Sequence, residues 1–236
     1  MKLQRKGTRH SHRGVIGVES AIVMIAFVIV AAALAFVVLN MGFTTSQKAK
    51  TSIISSLGEA SSSMQVAGKV IGEGDSGDNK LNMTAFPIKV SSGGNDINLE
   101  AKTTAVKYIS NSLDYGDIYV GTLSGQEYKS LASATAAAVS ATDSGDETFS
   151  DIDATPLGST PGPTNTRAFI YFTQISGSMN DILSQGESAT LAVAYKASER
   201  PSALDKIKVE IITPTGSALT VERQVPTVTN TIVDLG

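Results

Sequence analysis

The segment that decides the fold of this chain is RGVIGVESAIVMIAFVIVAAALAFVVL, residues 13–39. Its last 19 residues, 21–39, contain no charged side chain. In a helix, which rises about 1.5 Å per residue, that length crosses the hydrocarbon core of a membrane, about 30 Å thick. Five basic residues precede the apolar run: Lys2, Arg5, Lys6, Arg9 and Arg13. Basic residues on this side predict that the N-terminal end stays in the cytoplasm and the rest of the chain is exported.

The position of the basic leader indicates how the chain is processed. A conventional secretory signal is cut after its apolar region, which is then discarded. Here the leader ends at Gly14, so a cut between Gly14 and Val15 keeps the apolar segment in the mature protein. Gly7 lies too far upstream and Gly17 has no adjacent base, whereas a cut after Gly14 makes Glu19 the fifth residue. We therefore predict that residues 1–14 are a cleaved leader; the alternative is a membrane anchor that keeps its leader.

This arrangement resembles the prepilin-type leaders of the type IV pilin superfamily. The stretches GVESAIVMIAF (17–27), AFVVLNMGF (35–43) and TTSQKAK (44–50) are similar to the start of archaeal flagellins, also called archaellins. The resemblance covers about the first fifth of the chain, and the remainder agrees only in kind. One departure is His12, since the family prefers Lys or Arg at both positions before the cleaved glycine.

The resemblance implies a structural subunit of an extracellular filament, the rotating swimming organelle of archaea. Its N-terminal helices would form a core bundle and its β-domains an outer sheath, in a polymer of this chain alone or with other flagellins. The resemblance also implies insertion in the cytoplasmic membrane before assembly. A prepilin-type peptidase would remove the leader, and a membrane assembly platform with a cytoplasmic ATPase would build the filament.

Glu19 is the one acid close to the apolar run. An ionised carboxylate in hydrocarbon is costly, so this group must be neutralised, hydrated or paired. One interpretation is that Glu19 lies at the membrane interface, where its side chain reaches water. The resemblance implies another: cleavage exposes an α-ammonium on Val15, and Glu19 of one subunit compensates that charge on another.

Composition excludes several classes of function. The 236 residues include 19 basic and 22 acidic ones, a net charge of −3, and loss of the leader leaves 14 and 22, a net charge of −8. That acidity argues against a nucleic-acid partner, which needs a basic surface. There is no cysteine, and the two histidines, His10 and His12, lie in the leader. Histidine- and cysteine-based catalysis and zinc-thiolate sites are thereby excluded, so we expect no enzyme, no cofactor and no metal site.

The helix is predicted to continue beyond the apolar run. Apolar residues recur at a mean spacing of about 3.7, which is typical of one face of an α-helix; they are Ala49, Ile53, Leu57, Ala60, Met64, Ala67 and Ile71. This spacing predicts a helix from about Val18 to about Val70, within a segment 15–71 that forms the filament core and a transient membrane anchor. The polar, glycine-rich residues 72–80 are predicted to be a linker.

Beyond the linker the apolar residues alternate, which is typical of β-strands. We predict a hairpin from residues 86–90 and 97–101, a strand at 118–123 and further strands at 189–196, 207–211 and 219–221. Residues 167–175 are apolar on both faces, which predicts a central strand. Residues 126–141 favour a short helix and 143–163 an exposed excursion. The predicted class is α+β: a long N-terminal hydrophobic helix followed by an immunoglobulin-like antiparallel β-sandwich over 81–236.

The sequence contains one candidate glycosylation site and leaves two other functions open. Asn82-Met83-Thr84 is the only Asn-x-Ser/Thr triplet, so Asn82 is a candidate N-glycosylation site. The residues alone leave open an adhesive type IV-like pilin, or a membrane-tethered immunoglobulin-like binding protein.

Overall fold

The computed structural model describes residues 13–61, 63–140, 165–177 and 179–236. The chain divides into two compact units, Met1–Ser55 and Ser56–Gly236. In chain order the elements are α1 (Arg13–Ser61), β1 (Met64–Val66), β2 (Ile71–Asp75), β3 (Lys80–Val90), β4 (Ile97–Asn98), β5 (Ala105–Ser110), β6 (Asp114–Tyr115), β7 (Tyr119–Leu123), α2 (Leu131–Ser140), β8 (Arg167–Gln174), β9 (Ile182–Leu183), β10 (Ser188–Ala194), β11 (Lys206–Ile212), β12 (Leu219–Gln224) and β13 (Ile232–Asp234). The predicted class, a long N-terminal helix followed by a β-sandwich domain, is confirmed.

The first unit is dominated by α1, a helix of 49 residues and about 74 Å. It contains no proline, so no backbone donor is missing along its length. Every residue from Gly17 to Leu57 is exposed, and this stretch is long and apolar enough to span a membrane. The many Val and Ile residues of α1 have modest helix propensity, so we expect α1 to depend on lipid or protein that covers it.

The helix ends earlier than its apolar spacing predicts. α1 stops at Ser61, so the predicted continuation to about Val70 and the helical segment to residue 71 are wrong. Met64 and Val66 instead lie in β1, opposite Val90 and Ile88 of β3, and Met64 is buried. Burial of these side chains in the sheet outweighs the helical period, and the serines that follow Ala60 favour a helix end.

The predicted linker 72–80 is also corrected, because most of it belongs to a sheet. Residues up to Asp75 lie in β2, residues 76–79 form a turn, and β3 begins at Lys80. The glycines have a packing role in β2. A Cβ on Gly72 would lie 2.9 Å from side-chain carbons of Leu81 and Leu235, and one on Gly74 would lie 2.2 Å from Val228. Glycine is therefore present because neighbouring side chains approach the strand closely, and not because the chain is flexible.

Two sheets form the sandwich. The larger has the order β13-β2-β3-β10-β8-β7, with β1 also paired to β3; the smaller has the order β12-β11-β5-β6; β4 and β9 form a separate pair. Among the described residues, all strand pairs are antiparallel except β7 with β8, which is parallel and departs from the antiparallel prediction. The main core lies between the two sheets, where the rings of Tyr108 and Tyr195 are 5.5 Å apart.

The central strand prediction is confirmed by β8. Ala168, Ile170 and Phe172 face the main core, whereas Phe169 and Tyr171 belong to a second apolar cluster on the other face of the larger sheet. α2, close to the predicted short helix, covers that second face with Ala134 and Ala138, both fully buried. β8 is therefore apolar on both faces because both faces are covered.

One predicted hairpin is wrong, and one predicted loop is outside the described residues. Ile97 and Asn98 do not pair with β3; they pair with Leu183 and Ile182 of β9. The segment after β4 is held in this place by Tyr119, whose hydroxyl donates to the Leu99 carbonyl at 2.6 Å. The partner strand β9 lies far from β4 in the sequence, so the alternation of apolar residues could not identify the pairing. The excursion predicted at 143–163 lies outside the described residues.

A buried acid lies in β2. Glu73 is opposite Met83 of β3 and Ile232 of β13, and only 8% of it is exposed. Its Oε1 has no hydrogen-bond partner among the described residues. Burial raises the pKa of Glu73 to about 7, because a carboxylate removed from water is less stable than the protonated acid.

This pKa makes the stability of the sandwich depend on pH. Below about pH 4.5 Glu73 is protonated in both folded and unfolded chains; between about 4.5 and 7 only the unfolded chain gives up the proton, so stability falls as pH rises. Glu73→Gln removes this penalty. We expect its melting temperature at pH 8 to exceed that of the parent by at least roughly 2–4 °C, the shift for about 1 kcal/mol in a domain of this size. Near pH 4 the two should agree.

Circular dichroism of the full chain in detergent, followed during heating at both pH values, measures this difference. The exposed Glu100→Gln is the matched control and should show no such pH-dependent gain. A Glu73→Gln chain that melts with the parent at pH 8 would contradict the buried-acid account.

Candidate assembly helix

The candidate functional site is the exposed apolar surface of α1. Thirteen large apolar side chains between residues 21 and 39 are 51–76% exposed: Ile22, Val23, Met24, Ile25, Phe27, Val28, Ile29, Val30, Leu34, Phe36, Val37, Val38 and Leu39. At about 1.5–3 kcal/mol each, removing them from water is worth roughly 20–40 kcal/mol. This surface is far too apolar to remain in water, so lipid or protein must cover it.

The apolar surface surrounds the helix and is not confined to one face. Consecutive large residues occupy 22–25, 27–30 and 36–39, and each run of four spans more than a full turn. A helix that is apolar on every side is typical of a membrane span or of the interior of a large assembly. The site therefore fits a position with lipid or with neighbouring helices all around it.

The polar residues that follow this run are accommodated within the helix. The Thr44 hydroxyl donates to the Met41 carbonyl at 3.0 Å, and the Thr51 hydroxyl donates to the Gln47 carbonyl at 2.9 Å. Because these hydroxyls already have partners in their own helix, burying them against another helix leaves no unsatisfied donor.

Small residues allow other helices to approach α1 closely. Ala31, Ala32, Ala33 and Ala35 lie within the apolar run, and Gly42 follows it. A Cβ added at Gly42 would meet no described atom within 4 Å outside the neighbouring turns of its own helix, so no contact among the described residues requires glycine there. Small residues on an apolar helix allow backbones of neighbouring helices to pack closely.

The predicted cleavage site and Glu19 share the start of α1. Gly14 and Val15 lie in the first turn of the helix as it is described, and positions 15 and 19 are four residues apart, one turn along the same face. The rise between them is about 6 Å. Glu19 is exposed, and it forms no ion pair with any other described residue. The structure thus brings Gly14, Val15 and Glu19 together at one end of the helix.

The candidate glycosylation site belongs to the other unit. Asn82 is half-buried in β3, where its Oδ1 accepts a hydrogen bond of 2.9 Å from Arg200 Nη1. Arg200 also pairs with Asp78 at 2.7 Å and with Asp75 at 3.6 Å. Thr84 of the sequon is fully buried, and its hydroxyl shares a hydrogen bond of 2.7 Å with Tyr195. Sequence analysis missed Arg200, because Asn82, Asp75 and Asp78 lie more than a hundred residues before it.

The two units together define a class of protein: a helix-anchored β-sandwich subunit, whose helix is stable only under cover of lipid or of other protein. Comparisons with known proteins identify the family. Residues 14–223 match the family model of archaeal-type flagellins. A probable flagellin 1 of Aeropyrum pernix is 36% identical over 217 residues, which are 91% of this chain and 92% of that protein.

Solved structures are similar in fold. The archaeal flagellum of Methanospirillum hungatei strain JF1 matches 89% of this chain and 93% of its own, with 22% identity and a TM-score of 0.55. The archaeal flagellin FlaB1 of Methanocaldococcus jannaschii matches 74% of this chain and 96% of its own, with 15% identity and a TM-score of 0.53.

The chain belongs to the archaeal-type flagellin family. It is a structural subunit of the archaeal flagellum, an extracellular filament that serves swimming motility. The resemblance of the first fifth of the chain is thereby confirmed and extends over most of its length. The family match therefore favours the flagellin over the two alternative functions, an adhesive pilin and a membrane-tethered binding protein.

Proposed function

We propose that α1 is the unit through which copies of this chain assemble into the filament core, and that the β-sandwich forms the outer sheath. The observation that supports this division is the exposure of every residue from Gly17 to Leu57 of α1, in contrast to the covered cores of the sandwich. The role is structural and involves no catalysis, cofactor or nucleic acid.

We propose further that assembly moves α1 from lipid into a helix bundle. Lipid and bundle both shelter the apolar side chains, so this transfer gains little hydrophobic free energy. Close packing along the small residues Ala31–Ala33 and Gly42 must then favour the bundle. Extraction from the membrane needs an external source of energy, and a membrane platform with a cytoplasmic ATPase would supply it.

Ala32→Lys tests the packing role of α1. A lysine in the middle of the apolar run would be buried without a partner in a packed bundle, whereas in a membrane its long side chain reaches toward the interface. We expect export and leader cleavage but loss of most filaments, counted by electron microscopy and by the amount of sedimentable material after shearing.

The matched control is Ala101→Lys, the same substitution at an exposed alanine of the sandwich. Cells with this variant should carry filaments in parental numbers. Normal filaments from the Ala32→Lys strain would show that residues 21–39 do not lie in a packed core.

We propose that a prepilin-type peptidase cuts between Gly14 and Val15. The N-terminal peptide of sheared filaments should then begin at Val15, and the intact mass should lack residues 1–14 with their five basic residues. A filament protein that begins at Met1 or Thr8 would contradict a pilin-type leader. This measurement needs no variant and is independent of the assembly test.

The same mass spectrum tests our proposal that Asn82 carries a glycan. The bond from Arg200 engages Oδ1 and not Nδ2, the nitrogen to which a glycan attaches. Because Thr84 is fully buried, transfer to this sequon would have to precede the folding of β3. A modified peptide that contains Asn82 supports the proposal, and an unmodified one in all filaments excludes it.

We propose that Glu19 of one subunit pairs with the new α-ammonium of Val15 on a neighbour. In a bundle with little water, two opposite charges brought together favour one axial register, since loss of one partner leaves the other buried and uncompensated. Glu19→Gln should leave export and cleavage intact but reduce filament number or length, scored by immunoblot and electron microscopy.

Glu59→Gln removes a carboxylate further along α1 and serves as the control for loss of negative charge. If Glu19→Gln filaments match the parent in number and length, Glu19 is an interfacial residue and the pairing is excluded. The filament function would stand in that case.

A further inference from the structure

A leucine in the sandwich adopts a backbone conformation that its side chain disfavours. Among the described residues, two that are not glycine have a positive φ: Asn79 at 54° and Leu204 at 71°. Asn79 has a local reason, because asparagine tolerates this region and its Oδ1 accepts a hydrogen bond of 2.7 Å from the Val228 amide. Leu204 has no such side-chain bond to offer, and 72% of it is exposed.

The turn around Leu204 is held firmly by hydrogen bonds to other parts of the sandwich. The Leu204 amide donates to the Val225 carbonyl at 2.7 Å, and the Leu204 carbonyl accepts from Gln224 Nε2 at 3.2 Å. Asp205 accepts from the Ser202 amide and hydroxyl, both at 2.8 Å, and from Asn111 Nδ2 at 3.0 Å. These hydrogen bonds fix the conformation of the turn, and they therefore impose the positive φ of Leu204.

The surroundings of Leu204 are polar. Lys206, two residues later, lies 3.8 Å from Glu222 across β11 and β12, and Gln224 is exposed. The turn thus presents one apolar side chain within a polar rim. An apolar side chain that is held in a fixed place on the surface becomes more stable when a partner removes it from water.

In the isolated subunit this arrangement costs free energy in two ways. The backbone of Leu204 is strained, and its apolar side chain is exposed to water. The Leu204 side chain stays 72% exposed, so most of the cost of its exposure is not compensated within the described chain. Strain of this kind, when it is fixed by the surrounding structure, marks a functional position. A partner that covers the leucine would recover the cost of its exposure.

We propose that Leu204 is a contact residue between the sandwich domains of neighbouring copies in the filament, inserted into an apolar patch of the next subunit. The inference rests on the filament role described above, and that role supplies the occupant: a helical polymer repeats head-to-tail contacts, in which one surface meets a different surface of an identical neighbour. The helices would then supply the core contact and Leu204 a separate contact in the sheath.

Leu204→Asn separates the effect of residue 204 on backbone strain from its effect on the contact between subunits. Asparagine adopts a positive φ more readily than leucine, so the full chain in detergent should melt at the parental temperature or above it. Sheared filaments of the same variant should dissociate into subunits at a lower temperature than parental filaments, measured by light scattering and sedimentation during heating. Leu204→Met, which keeps an apolar side chain, should restore most of the difference.

The matched control is Met179→Asn, because Met179 is 64% exposed but has no positive φ. A Leu204→Asn filament that dissociates with the parent, or that is lowered no more than the Met179→Asn filament, overturns the proposal. A parent chain that forms no filaments would instead contradict the proposed function, so the two failures are distinct.

A thiol at position 204 provides a second measurement that does not depend on filament stability. The chain has no cysteine, so Leu204→Cys introduces a single reactive group. A maleimide should label it several-fold more slowly in sheared filaments than in subunits dispersed in detergent. Equal labelling rates in the two states would show that position 204 remains open in the filament and would overturn the proposal.

Discussion

The apolar surface of α1 is the constraint on which the rest of this protein depends. Nineteen successive residues without a charge cannot remain in water, and no described part of the chain covers them. We propose that lipid covers this surface before assembly and that neighbouring helices cover it in the filament. On this proposal the small residues matter because lipid already shelters the apolar side chains, so close packing between helices must favour the bundle over the membrane.

The sandwich has a different requirement: its stability must come from its own cores, whether α1 lies in lipid or in a helix bundle. It buries one core between two sheets and a second under α2, and β8 joins them by facing both. Strand β2 shows how tightly this is packed, since Gly72 and Gly74 leave no room for a side chain. Two features work against the stability of the isolated domain: the carboxylate of Glu73 and the backbone of Leu204. The buried Glu73 makes the domain more stable at low pH than at high pH. Leu204 belongs to the contact that we propose between subunits.

Features that depend on local pattern could be predicted from the sequence, and features that depend on distant partners could not. The basic residues, the charge-free run and the position of Glu19 resemble a pilin-type leader, and the stretches 17–27 and 35–50 resemble the start of an archaeal flagellin. Alternation identified β10 and β11, a short run that is apolar on both faces identified β8, and alanine content identified α2. The end of α1 was missed because Met64 fits a helical stripe as well as a strand, and only the partner Val90 decides between them. Arg200 and the turn at Leu204 were missed for the same reason: their hydrogen-bond partners lie far away in sequence.

A helical reconstruction of sheared filaments by electron cryo-microscopy tests the central claim most directly, because it locates α1 relative to the filament axis. The account predicts that residues 21–39 lie at the axis, covered on all sides by the same segment of neighbouring copies, with the sandwich domains outside. A filament in which α1 lies at the surface, or in which contacts between sandwich domains alone form the continuous core, would contradict it.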